Sequence, residues 1–255
     1  MPANPDLSRL SVKQFAEQFH AEMIPLSNTF SYFCASVPMS EDDLKEYLEE
    51  PVAALPPAIA AALPKISILL VPYLERGEAG KRNPQTVPAS DYVSMQPPPD
   101  GRVSSFTQLK AAEETVLAFA LKNQEVAEYH YRFYHQLASM MADRWNEEVE
   151  TRYSRILRDE LGADAHGEVD EPSWRLKQGL RRTPAQRGGR QFAVYARQSF
   201  ADTLTLYLHG ICCDIDVDTG PRQLPSRYLR KRLLLLEELF PPPAGYAVFP
   251  EQVGA

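Results

Sequence analysis

The chain is poor in cysteine and glycine and has no long apolar run, and each shortage removes a class of function. Its three cysteines are Cys34, Cys212 and Cys213, and no C-x-x-C pair occurs. Sequence neighbours bridge only under strain, so neither a disulfide framework nor a zinc knuckle is expected, and a reducing, cytoplasmic setting is. Twelve glycines in 255 residues include no G-x-x-x-x-G-K-[ST], no G-x-G-x-x-G and no G-x-S-x-G. Phosphate-cradling loops and the hydrolase nucleophile elbow therefore have no support. The apolar stretches Ile66–Tyr73 and Leu233–Leu236 fall far short of the ~20 residues of a membrane span. The N-terminus carries no basic start followed by an apolar run, so neither a signal peptide nor membrane contact is expected.

What is present reads as ordinary globular sequence, 44% hydrophobic and 24% charged, with a net charge of −7. An acidic chain gives no general reason to expect nucleic acid. The 22 prolines fall at segment junctions rather than in a repeat. Ser11-Val-Lys-Gln14 is a capping box, and Phe15, Phe19 and Met23 follow at helical spacing, predicting a helix to about residue 24. Ser40, followed by three acids, opens a second helix, and a short helix is expected between Pro51 and Pro64. Lys65–Leu74 is the clearest strand, residues 76–90 read as a loop, and Tyr92–Met95 as a short strand. Residues 106–122 fit a helix, or Thr115–Leu121 a strand. One long helix is expected from Glu125 to Leu161, ended by Gly162. Residues 162–190 read as a loop insertion whose basic part, 175–190, is a solvated loop rather than a nucleic-acid contact. Helices are expected at 191–211 and 226–240, and a last strand at Tyr246–Phe249. Arg227, Arg230, Lys231 and Arg232 read as an exposed face paired with Glu237 and Glu238. The expectation is thus an α+β, mainly helical single domain over 1–255 with a small sheet. It has a helical part at 1–64, a sheet-containing part at 65–123 and a helical part at 124–255.

Few residues point to chemistry. Asp214, Asp216 and Asp218 alternate as in a calcium loop, but Thr219 precedes Gly220 and no glutamate closes the loop, so a turn is the better reading. On the helix 191–211, Gln191, Gln198, Asp202, Thr205 and His209 fall within an arc of about 60°. Either this stripe is the wet side of the helix, or it lines a cleft facing His135. In the second case His135, Asp202 and His209 form an unorthodox metal site, with zinc as the ion. His130 sits on the apolar stripe beside Val126 and Phe133 and reads as a core or boundary histidine, about 140° around the helix from His135. Cys212 and Cys213 read as buried thiols.

The segments His135-Gln136-Leu137-Ala138-Ser139 and Gln198-Ser199-Phe200-Ala201-Asp202 resemble a worn H-E-x-x-H … E-x-x-x-D pair. That pair belongs to the gluzincin-type zinc metallopeptidases, and the second segment is similar to the lethal-factor-like branch. The resemblance covers residues 115–211 and implies a zincin-like fold. On it, His135 keeps the first ligand position and Asp202 the supporting acid. Gln136 stands at the general base, Ser139 at the second ligand and Gln198 at the third. A neutral amide cannot take a proton from water, and serine and an amide are poor zinc ligands. The implied protein is a catalytically inactive relative with no intact catalytic residue and no resident cofactor, acting by binding a protein or peptide. The alternatives are a metal-dependent hydrolase using His135, Asp202 and His209, and a helical interaction scaffold unrelated to peptidases.

Overall fold

The computed structural model describes residues 10–77, 91–111, 114–122, 124–182, 189–213 and 224–249. The acidic turn 214–221, most of the loop expected at 76–90 and residues 183–188 of the basic stretch lie outside them. The fold is α+β, with helices dominant and two small sheets. The chain separates into two compact units: residues 1–52 with 64–129, and residues 53–63 with 130–255.

The first unit holds both sheets. A four-stranded sheet runs in the order β1 (Leu10–Ser11), β6 (Tyr92–Ser94), β5 (Tyr73–Glu75), β7 (Val103–Ser104). A five-stranded sheet runs β2 (Ile24–Pro25), β3 (Phe30–Cys34), β4 (Lys65–Val71), β9 (Glu114–Ala120), β8 (Phe106–Ala111). β3, β4 and β9 are parallel, and β8 closes one edge antiparallel to β9, with Phe106 opposite Phe119. The single strand expected at Lys65–Leu74 is split at Pro72, whose missing N–H cannot continue a ladder. The chain passes there from one sheet to the other. The strand reading of Thr115–Leu121 holds as β9, the helical alternative over 106–122 is set aside, and Phe106–Ala111 forms a further strand, β8. Val116 to Ala120 are consecutively buried, as a central parallel strand covered on both faces requires.

Helix α1 (Val12–Phe19) starts on the expected box: Ser11 Oγ accepts from Gln14 N at 3.3 Å while Gln14 Oε1 accepts from Ser11 N at 3.1 Å. Its Phe15 and Phe19 pack on Phe33 of β3, with ring centroids 6.1 and 4.7 Å apart. The α-helix ends at Phe19, a short 3-10 turn (His20–Glu22) follows, and Met23 packs against the same core. Ser40 caps α2 (Glu41–Leu44), which continues through a π turn (Lys45–Glu49) into α3 (Glu50–Ala53). The Asp43 carboxyl is held below its usual range by hydrogen bonds from the Ser40 backbone and side chain.

The second unit is helical: α4 (Pro57–Ala62), α5, which enters it from Val126 and runs to Ala142, α6 (Glu147–Gly162), α7 (Glu171–Arg182), α8 (Arg190–Cys213) and α9 (Ser226–Leu239). The long helix expected over 125–161 is broken in two. Asn146 caps α6, accepting from Val149 N at 2.9 Å, and three acids follow in the first turn. The insertion expected at 162–190 contains α7, so the loop reading is corrected there. Its buried face is Ser173, Lys177 and Leu180, a stripe that a hydropathy reading cannot see because one member is a lysine. Residues Tyr246–Phe249 are irregular rather than a strand, although Val248 and Phe249 are buried.

The basic face expected on α9 is corrected at Arg232, while Arg227 and Lys231 are exposed. Arg232 is 0% exposed and joins α6, α7 and α8 through a dry charge network. It donates to Glu160 through Nε at 2.9 Å, and to Glu168 through Nη1 at 2.7 Å and Nη2 at 2.9 Å. Lys177 Nζ lies 3.3 Å from Glu168 and donates to the Gly167 carbonyl at 2.8 Å. Tyr195 donates to Glu168 through its hydroxyl, and Ser199 Oγ accepts from Arg232 at 2.9 Å. Burial alone would raise the Glu168 pKa, but Arg232, Lys177 and the Tyr195 hydroxyl outweigh it and hold it at about 2. Burial lowers the Lys177 pKa against the pull of Glu168. Two carboxylates and two cations leave no net charge, the condition under which buried ions are tolerated. The exposed pairs Arg152–Glu238 and Lys231–Asp159 add little by comparison.

Candidate functional site

Within the second unit, α5 and α8 bring part of the anticipated set together. The Thr205 hydroxyl lies 3.4 Å from His135 Nδ1 and also donates to the Ala201 carbonyl at 2.8 Å. Gln198 Nε2 donates to Asp202 Oδ1 at 2.8 Å, and Ser173 N donates to Asp202 Oδ2 at 3.3 Å. Burial raises the Asp202 pKa. Those two hydrogen bonds and the nearby His135 oppose the shift, and Asp170 adds to it. Tyr131 stacks on His135, with centroids 6.0 Å apart and planes 9° apart, and donates its hydroxyl to Asp170. The stripe on α8 is therefore not simply a wet side: Asp202 and Thr205 are 2% and 1% exposed, and only its start, Gln191, is exposed.

Gln136 and Ser139 lie half-buried on α5. Among the described residues no hydrogen bond joins either of them to Gln198. His135, Gln136, Ser139 and Gln198 offer one imidazole, one hydroxyl and two amides. That donor set does not suit zinc, which takes thiolate, imidazole or carboxylate, and it supplies no base for water.

His209 does not join His135 and Asp202. It belongs to a second group, with His130 of α5 and Cys213 of α8, whose ligand atoms all lie within 4.8 Å of one another. Cys213 Sγ is 3.2 Å from His130 Nδ1, and the His130 and His209 rings are 6.3 Å apart at 76°. Tyr134 packs on His209 at 6.0 Å. Burial and the neighbouring His130 push the His209 pKa down to about 4. His130, read from sequence as a core or boundary residue, is indeed 7% exposed but sits within this group. The one sequence signal for the group is the spacing of His209 and Cys213, four apart and so on one helix face. The partner 79 positions earlier in the chain carries no local signal. Burial pushes the third thiol, Cys34 in the first unit, up to about 11.

The basic charges of α7 are largely consumed. Arg175 pairs with Glu171 at 2.5 Å, Arg181 with Asp164 at 2.9 Å, and Lys177 lies inside the buried network. Among the described residues, no helix is long and apolar enough to cross a membrane.

No family model, curated protein or solved structure matches this chain.

Proposed function

We propose that this chain is a catalytically inactive, metallopeptidase-like protein of the zincin type that acts by binding a peptide or protein. The observation that carries the reading is the pairing of α5 with α8. The two residues retained from the peptidase pattern, His135 and Asp202, stand on these two helices, and Thr205, less than one turn after Asp202 on α8, lies 3.4 Å from His135 Nδ1. The positions that would do the chemistry hold Gln136, Ser139 and Gln198. The strand β9, which leads directly into α5, supports the same reading, since a continuous helix there would have spoken against it.

Amides and hydroxyls are poor at hydrolysis but well suited to a peptide. Each glutamine offers a carbonyl acceptor and N–H donors, so it can pair with both the N–H and the C=O of a peptide bond. Retaining neutral groups where charges once worked keeps that recognition while removing water activation.

The test is a pair of assays on the whole chain. Incubation with a mixed-sequence peptide pool and added zinc, followed by mass spectrometry, should show no cleavage. Peptides selected from a random display library should bind the chain and lose affinity in Gln136→Ala and Gln198→Ala variants. Zinc-dependent cleavage would overturn the reading. So would selected peptides that ignore both substitutions.

A further inference from the structure

We propose that His130, His209 and Cys213 form a binding site for a zinc-class metal ion, clamping α5 to α8. Three observations meet there. The three side chains converge, all ligand atoms lying within 4.8 Å of one another. Two of them, His209 and Cys213, are spaced i and i+4 on α8, which sets both donors on one helix face, while His130 supplies the third from α5. The donors themselves are two imidazoles and a thiol, the borderline-soft set that selects zinc over magnesium or calcium.

The Cys213–His130 spacing is close to what the ion needs. Tetrahedral zinc, with bonds of about 2.3 Å to sulfur and 2.0 Å to nitrogen, holds such ligands roughly 3.5 Å apart. Cys213 Sγ and His130 Nδ1 stand 3.2 Å apart, so the pair opens by only a few tenths of an ångström to admit the metal. Binding releases the thiol proton to solvent and leaves both imidazoles neutral, so the site carries one formal negative charge against the ion's two positive. A nucleophilic thiol would offer a different account of the Cys213–His130 contact, but it requires one imidazole as base. The second imidazole, His209, has no part in that chemistry and a direct one in metal ligation. Three protein donors leave a fourth tetrahedral position for water or an exogenous ligand.

The site shares no residue with His135, Gln136, Ser139 and Gln198 and does not rest on the peptidase reading. The test uses the full chain, purified without chelator or histidine tag and titrated with zinc and, separately, with cobalt(II). The expected result is about one bound zinc per chain. With cobalt, it is a near-ultraviolet thiolate-to-metal band together with visible bands of tetrahedral strength. His130→Ala and His209→Ala should lose stoichiometric zinc, and His135→Ala should keep it. Cys213→Ser, the variant closest in shape, should lose the charge-transfer band specifically, with circular dichroism confirming that the helices persist. Three results would overturn the site: no zinc uptake by the parent chain, zinc retained at full strength in His209→Ala, or loss that follows His135→Ala instead. Rapid alkylation of Cys213 in the parent chain, unaffected by zinc, would assign the pair to thiol chemistry and sink the metal site as well.

Discussion

Replacing Arg232 with alanine should cost the helical unit about 3–5 kcal/mol, the penalty for removing one partner of a buried ion pair. The magnitude follows from what is left behind. Glu160 and Glu168 are 1% and 0% exposed, and without Arg232 they share a single cation, Lys177, at 4.0 and 3.3 Å. One carboxylate then remains buried without compensation, and water cannot reach it without opening the contact between α6 and α9. For a chain of this size the loss corresponds to a fall in unfolding temperature of roughly 6–20 °C. Urea unfolding followed by tryptophan fluorescence isolates the effect, because both tryptophans, Trp145 and Trp174, lie in the helical unit. Trp145 reports core packing through Phe200, 5.1 Å away. The double variant Arg232→Met with Glu168→Gln removes one charge of each sign, and it should be more stable than the sum of the single changes by roughly 0.5–3 kcal/mol. A loss under about 1 kcal/mol for Arg232→Ala, the value of an exposed surface pair, would refute the dry, fully paired network.

Three further outcomes follow from the same geometry. The Glu168 pKa is depressed to about 2, so its contribution is fully present above the unfolded carboxylate range. It should be lost as pH falls toward 2, and a Glu168→Gln variant should lack this acid-dependent slope in urea titrations. Asp202 has the opposite sign, its pKa being raised by burial. Relative to Asp202→Asn, the parent chain should gain stability as pH falls below the folded value and lose that gain as pH rises through it. Asn146→Ala should destabilise the helical unit by about 1 kcal/mol, since it removes the acceptor for Val149 N at the start of α6; denaturant midpoints check it.

The sequence displays what is local and hides what is assembled. The Ser11 and Ser40 boxes, the β4 run and the helices α8 and α9 are written in contiguous residues, and the structure places them close to where composition and periodicity do. β9 is ambiguous in the sequence because its alanines favour helix, and only pairing with β4 and β8 fixes it as a strand. The α5–α6 break turns on one side-chain cap at Asn146 within an otherwise helical pattern. Helix α7 is hidden in the sequence because a buried lysine occupies its inner face, and Lys177 is tolerable there only with Glu160 and Glu168 from elsewhere in the chain. The same holds for Arg232, which looks like surface until its carboxylate partners are known. At the candidate sites, the α8 stripe is legible in the sequence, but which of its members meets His135 is not; in the structure it is Thr205, 3.4 Å from His135 Nδ1. The convergence of His130 with His209 and Cys213 depends on how α5 packs on α8, which no spacing rule encodes.

The most direct test of the peptidase-like reading is to restore its chemistry. The triple variant Gln136→Glu, Ser139→His, Gln198→Glu rebuilds a two-histidine, one-glutamate ligand set with a glutamate base on α5 and α8. Its zinc content should be measured by plasma mass spectrometry in a His209→Ala background, so that the His130–Cys213 group does not contribute. If α5 and α8 retain the peptidase geometry, the folded variant gains about one zinc per chain that disappears on His135→Ala. A folded variant that takes up no additional zinc would contradict the reading, and the chain would stand as a helical interaction scaffold without peptidase ancestry.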